Sequence, residues 1–203
     1  MALGYILGTF TFKALKTDIN LPLLITLAVM PDIDLIIRHL RHRGPTHSII
    51  VATLFFTPFF IIYKKKAIPY YIALAQHFLI GDLLMGGQVQ LLWPLTTRLY
   101  GVGIRMAGPI NITAEWLLFI ASLVILLWSK QIIKLLKPQF HNLLLIIPTS
   151  TLILPILITF ADYSPVVPIA LTPPHIIYAL LFSTSIIMVM IKPPKIFNKD
   201  KAR

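Results

Sequence analysis

Apolar runs recur along this chain at a length that leaves few architectures open. Ser48–Tyr63, Ala67–Met85, Glu115–Trp128 extended to Leu136, Asn142–Phe160 and His175–Ile191 approach the ~20 residues a helix needs to cross a hydrocarbon core. Inside a bilayer every backbone polar group must be satisfied within the chain, so such runs read as spanning helices. Ala2–Leu15 and Ile19–Met30 are too short to span alone and read as a short N-terminal helical hairpin, partly re-entrant. The expectation is an all-α, polytopic transmembrane bundle of about five spanning helices plus that hairpin, one integral membrane domain over 1–203. A soluble domain is excluded by 57% hydrophobic against 12% charged residues. No cleavable leader is read at the N-terminus, and the absence of cysteine removes disulfides and thiolate ligands.

Charge divides the connections into two sets. If the chain zigzags, one face collects Lys13, Lys16, Lys64, Lys65, Lys66, Lys130, Lys134, Lys137, Lys192, Lys195, Lys199, Lys201 and Arg203, thirteen of the 18 basic residues. The other face holds Arg38, Arg41, Arg43, Arg98 and Arg105 with Asp32, Asp34, Asp82, Glu115 and Asp162, five of the 7 acids. The positive-inside rule puts the lysine face and the basic tail 192–203 in the cytoplasm of a multi-pass cell-membrane protein, with the arginine face outside. Lipid headgroups account for the basic surface, and no nucleic-acid partner is expected.

Three polar clusters fall on the arginine face. In "PDID", Pro31 ends a short helix, and an extended turn would direct Asp32 and Asp34 to one side. In "HRGPTHS", Gly44–Pro45 forces a turn and Thr46 or Ser48 can cap the following helix, which leaves two imidazoles, His42 and His47, unexplained. His39 and His175 fall on the same side. The third cluster places His77 and Asp82 on an otherwise apolar helix, where ionisable groups are costly and mark function. His and Asp without thiolate suit zinc, manganese or iron, and a metal would offset the burial of several carboxylates and generate a bound hydroxide. Asp32, Asp34, His42, His47, His77 and Asp82 are the expected ligands, with Asp34, His47 and Asp82 also expected to take part in catalysis. Arg43 is tied to the ligand turn and is expected to brace Asp32 or Asp34. Arg98 and Arg105, on the long connection Gly86–Thr113, are expected to bind an anionic substrate through their planar forks.

These motifs in this order resemble the YdjM-like membrane-bound metal-dependent hydrolases. The resemblance rests on "PDID", "HRGPTHS", an acid-bearing helix, "LLWPL" and a downstream glutamate, over roughly residues 1–118. It implies a metal site at Asp32, Asp34, His42, His47 and Asp82, with Glu115 as a weaker member, and a hydrolytic reaction class without a substrate; the expected cofactor is a divalent ion, zinc or manganese, and the expected substrate a phosphoester or other lipid-linked ester. Residues 1–118 would form the metal-site half and 119–191 additional helices. The chain departs from the family at two points. Tyr5 follows Gly4 in "LGYILG" where the family carries a histidine, and "HFLIGD" separates His77 from Asp82 by five residues rather than four. Five residues on a regular α-helix lie about 140° apart, so a local π-bulge near Gly81 is needed to align the pair. The alternative from another class is a membrane protein that binds or transports an ion without hydrolysis.

Overall fold

In the computed structural model, residues 1–37, 40–85, 87–162 and 167–194 are described, without the side chains of 159–162. Arg38 and His39, the side chain of Asp162, and Lys195, Lys199, Lys201 and Arg203 of the tail lie outside the described residues. The helices are α1 (Ala2–Leu15), α2 (Leu21–Leu27), α3 (Ile49–Tyr63), α4 (Ile68–Met85), α5 (Pro109–Trp128), α6 (Gln131–Leu136), α7 (Ile146–Asp162) and α8 (Thr172–Ile191). Among the described residues the only β-type pairing is an isolated bridge between Val89 and Tyr100.

Among the described residues four segments have the length and apolarity to cross a bilayer: Ile68–Met85, Pro109–Trp128, Phe140–Ile158 and Ile169–Ile191. The run read as Ser48–Tyr63 is helical over only 15 residues and ends in a 3-10 turn at Lys64–Lys66. The run extended to Leu136 is broken at Lys130, whose left-handed φ of 54° separates α5 from α6. The expected N-terminal hairpin forms, with α1 over Ala2–Leu15 and α2 capped by the Asn20 side chain.

Small residues let this hairpin pack tightly. Gly4 and Gly8 lie four apart on one face of α1, and a Cβ on Gly4 would meet Ala28 Cβ at 2.6 Å, while one on Gly8 would meet Leu24 Cδ1 at 2.5 Å. Tyr5, in place of the family histidine, is buried in the core and donates its hydroxyl to Gln131 Oε1 at 3.0 Å. Phe12, Leu24, Leu135, Leu145 and Phe182 fill the centre of the same core.

The "PDID" segment corrects the expected extended turn. Met30–Leu35 is a 3-10 helix, because Pro31 has the φ that a helical first turn requires. At three residues per turn, residues two apart point about 120° away from each other, so Asp32 and Asp34 do not share a side.

Candidate metal centre

Asp34 organises the "HRGPTHS" turn. Its side chain is fully buried, and its Oδ2 accepts the Arg43 backbone N–H at 3.1 Å and the Thr46 hydroxyl at 2.9 Å, while Oδ1 lies 3.0 Å from His42 Nδ1. Arg43 adopts φ 62°, the left-handed turn that aims its N–H at this carboxylate. Ser48 caps α3 by accepting from Ile50 N and Val51 N, and its own hydroxyl donates to Trp93 O at 2.6 Å. The Arg43 and Leu91 carbonyls accept from Gln90 N and Ile49 N, so "LLWPL" anchors the turn from the far side.

The His47 and His77 imidazoles each meet an oxygen through Nδ1. Thr46 gives its hydroxyl hydrogen to Asp34, so its oxygen accepts from His47 Nδ1 at 3.0 Å. His77 Nδ1 donates to the Ala28 carbonyl at 3.1 Å. With both δ-nitrogens protonated, the ε-nitrogens of the neutral rings present lone pairs. Those lone pairs face carboxylates: His47 Nε2 is 3.5 Å from Asp32 Oδ1 and 3.4 Å from Asp82 Oδ2. His77 Nε2 is 3.2 Å and 3.6 Å from the same two oxygens.

Two imidazole nitrogens and two carboxylate oxygens thus converge on one space. His47 Nε2 and Asp82 Oδ2 are buried and aligned for no hydrogen bond. A tetrahedral ion with bonds of ~2.0–2.1 Å needs ligand-to-ligand edges of about 3.3–3.4 Å. The four imidazole-to-carboxylate separations, 3.2, 3.4, 3.5 and 3.6 Å, bracket that value, while Asp82 stands outside the set of residues whose ligand atoms all lie close to one another. Asp32, His47 and His77 form one group that can hold a metal ion, and Asp34, His42 and His47 form a second through the other face of the His47 ring.

The π-bulge that the five-residue spacing requires is present. His77–Asp82 is a π-helical turn in which Leu83 N donates to Phe78 O, five residues back, and this brings His77 and Asp82 to one face. Arg43 braces Asp82 rather than the expected Asp32 or Asp34, with Nε 3.1 Å from Asp82 Oδ1. Its backbone reaches Asp34 and its side chain extends across the turn, so one residue serves two carboxylates by different groups. Gly87 at φ 145° makes room for the guanidinium, since a Cβ there would overlap Arg43 Nη1.

Proton affinities follow from this crowding. Burial alone would raise Asp32, but the neighbouring His77 and His47 hold it well below the usual carboxylate range. Asp34 is also lowered, because His42 and His47 outweigh its burial. For His47 burial acts to lower the pKa, yet Asp32, Asp34 and Asp82 around it raise it to about 9.

A cavity of about 310 Å³ opens beside the cluster, bordered by His42, Arg43, His77 and Asp82 on one wall and by Glu115, Phe119, His175 and Tyr178 on another. Glu115 and His175 therefore share a cavity with the His and Asp cluster without joining either group that can hold a metal ion. Arg98 and Arg105 are exposed on the connection between α4 and α5 and do not line it, and Arg98 lies over the Tyr100 ring. The roles of Thr46 as a relay and of Ala28 O as a tautomer lock were invisible in the sequence, where a threonine in a turn reads only as a cap.

No curated protein and no solved structure matches the chain. A family model described as YdjM inner membrane protein matches residues 1–154, from the start of the chain into α7 and across the whole Asp32–Asp82 cluster. The chain, an all-α membrane protein with His and Asp groups that can hold a metal ion, belongs to the YdjM inner membrane protein family.

Proposed function

We propose that this protein is a membrane-embedded, metal-dependent hydrolase acting on a phosphoester or lipid-linked ester. The reading is carried by one observation: two imidazole ε-nitrogens and two carboxylate oxygens lie 3.2–3.6 Å apart across one space. Asp32, His47, His77 and Asp82 would hold the ion, zinc or manganese by ligand type. A divalent ion there supplies a Lewis acid and lowers the pKa of a bound water. The chain's own groups do the positioning. Asp34 fixes His47 through Thr46 and ties His42 to the same turn. Arg43 holds Asp82 and lines the cavity, where its charge faces an anionic substrate. Arg98 and Arg105 would meet an anionic headgroup on approach, from the exposed connection.

Ion transport is disfavoured by the core. A conducting route would have to continue toward the lysine ends of the helices, where Phe12, Leu135, Leu145 and Phe182 are packed. Hydrolysis of a lipid phosphoester by purified protein, stripped with chelator and reloaded with zinc or manganese, tests the proposal. Turnover that returns with metal and is absent in Asp82→Asn supports it. Turnover indifferent to chelation and to Asp82→Asn would overturn it.

A further inference from the structure

The wall of the cavity opposite the metal centre has its own chemistry. Asn111, Glu115 and Phe119 are spaced four apart along α5, so they share one helix face, and all three border the cavity. His175 and Tyr178 on α8 face them, beyond the end of the family match at residue 154. Glu115 sits within the apolar span Pro109–Trp128 and lines the cavity with Met1, and among the described residues it makes no hydrogen bond and no salt bridge. His175 has committed Nδ1 as a donor to the Leu171 carbonyl at 2.7 Å, so its Nε2 is an acceptor when the ring is neutral. The Tyr178 hydroxyl is engaged with Ser122, and the ring packs edge to face with Phe119 at 5.1 Å between centroids.

A carboxylate, an acceptor nitrogen and two aromatic rings around one space are the elements that recognise an organic ammonium. A divalent ion would neutralise Asp32 and Asp82, and Arg43 already pairs with Asp82, so among the described residues Glu115 is a cavity carboxylate outside that ion-paired cluster. We infer that this wall binds the ammonium end of a zwitterionic phospholipid headgroup while the phosphate lies toward Arg43 and the metal centre. This rests on the hydrolase reading for the phosphate end and names the substrate class for it.

Equilibrium binding tests the inference without turnover. Detergent-purified, metal-loaded protein is titrated calorimetrically with short-chain diacyl lipids carrying phosphoethanolamine, N-acetylated phosphoethanolamine or phosphoglycerol headgroups. The ammonium lipid should bind about tenfold more tightly than the other two, the worth of one charge-assisted contact in a partly desolvated site. Glu115→Gln should erase the preference while metal content stays at the wild-type value. Because acetylation removes the charge from the ligand and leaves the protein unaltered, a variant that fails to fold does not remove the test. Equal affinity for the three lipids in the wild type, no binding of any, or a preference that survives Glu115→Gln would overturn the inference. Loss of the hydrolase reading would show instead as absent metal or absent turnover, both measured separately.

Discussion

Asp34 takes the Thr46 hydroxyl, Thr46 takes the Nδ1 proton of His47, and the opposite nitrogen of that ring is left facing Asp32 and Asp82. In metal-free protein a proton occupies this position, since the surrounding carboxylates raise His47 to about 9. A group whose folded pKa is raised from 6.5 stabilises the fold fully below that pH and loses its contribution as pH climbs through about 9. The lowered Asp32 and Asp34 act in the opposite sense, contributing above their ordinary value of 3.8 and failing on acidification. Chelator-treated protein should therefore lose thermal stability between pH 6.5 and 9, while the stabilisation gained on adding zinc grows over the same interval because the ion replaces a proton. Thermal unfolding with and without zinc across that range checks this, and a zinc increment independent of pH would count against it. Arg43→Lys removes the Nε contact to Asp82 and should cost about 1–3 kcal/mol together with part of the bound metal. A stable Arg43→Lys protein with full metal would mean that Arg43 braces nothing.

The π-helical turn His77–Asp82 decides whether the third polar segment joins the site. Its need was legible in "HFLIGD", because five-residue spacing fails on a regular helix and the family's four-residue spacing does not. Deletion of Leu79 would restore that four-residue spacing on an ordinary α-helix, with the pair about 40° apart. Such a variant should keep its metal, whereas insertion of one alanine after Leu79 should abolish binding. Metal content of the two purified variants distinguishes them, and equal loss in both would contradict the aligned pair. The 3-10 helix over "PDID" was less legible. Pro31 fits either an extended turn or a helical start, and only the tertiary packing that sends Asp32 toward His77 and Asp34 toward His42 selects between them. The residue types that gather in the His and Asp groups could be read from motif chemistry. The division of labour between Asp32 as a member of the cluster and Asp34 as the orienter of His47 could not, because it depends on which ring nitrogen each carboxylate meets.

In α1, α4, α5 and α8 the cavity residues and the neighbouring lysines lie toward opposite ends of the helix. Met1–Leu3 begin α1 beside the cavity and Lys13 ends it, Lys64–Lys66 precede α4 and Asp82 closes it, and Glu115 opens α5 while Lys130 follows it. Zigzag alternation with lysines inside then predicts that Lys65→Cys and Thr97→Cys, one on each set of connections, react with an impermeant thiol reagent from opposite sides of the membrane, Thr97→Cys from outside. Labelling of both from one side would refute the alternation. The convergence of Asp32, His47, His77 and Asp82 draws on three separated stretches of chain, so its most direct test is the metal-to-protein ratio of purified protein and of the four single alanine variants, measured by elemental analysis at matched folding. About one divalent ion per chain in the unaltered protein, reduced to less than half in Asp32→Ala, His47→Ala, His77→Ala and Asp82→Ala and unchanged in Tyr5→Ala, is the result this arrangement predicts. Full occupancy in all four, or no metal in the unaltered protein after reloading, would contradict it.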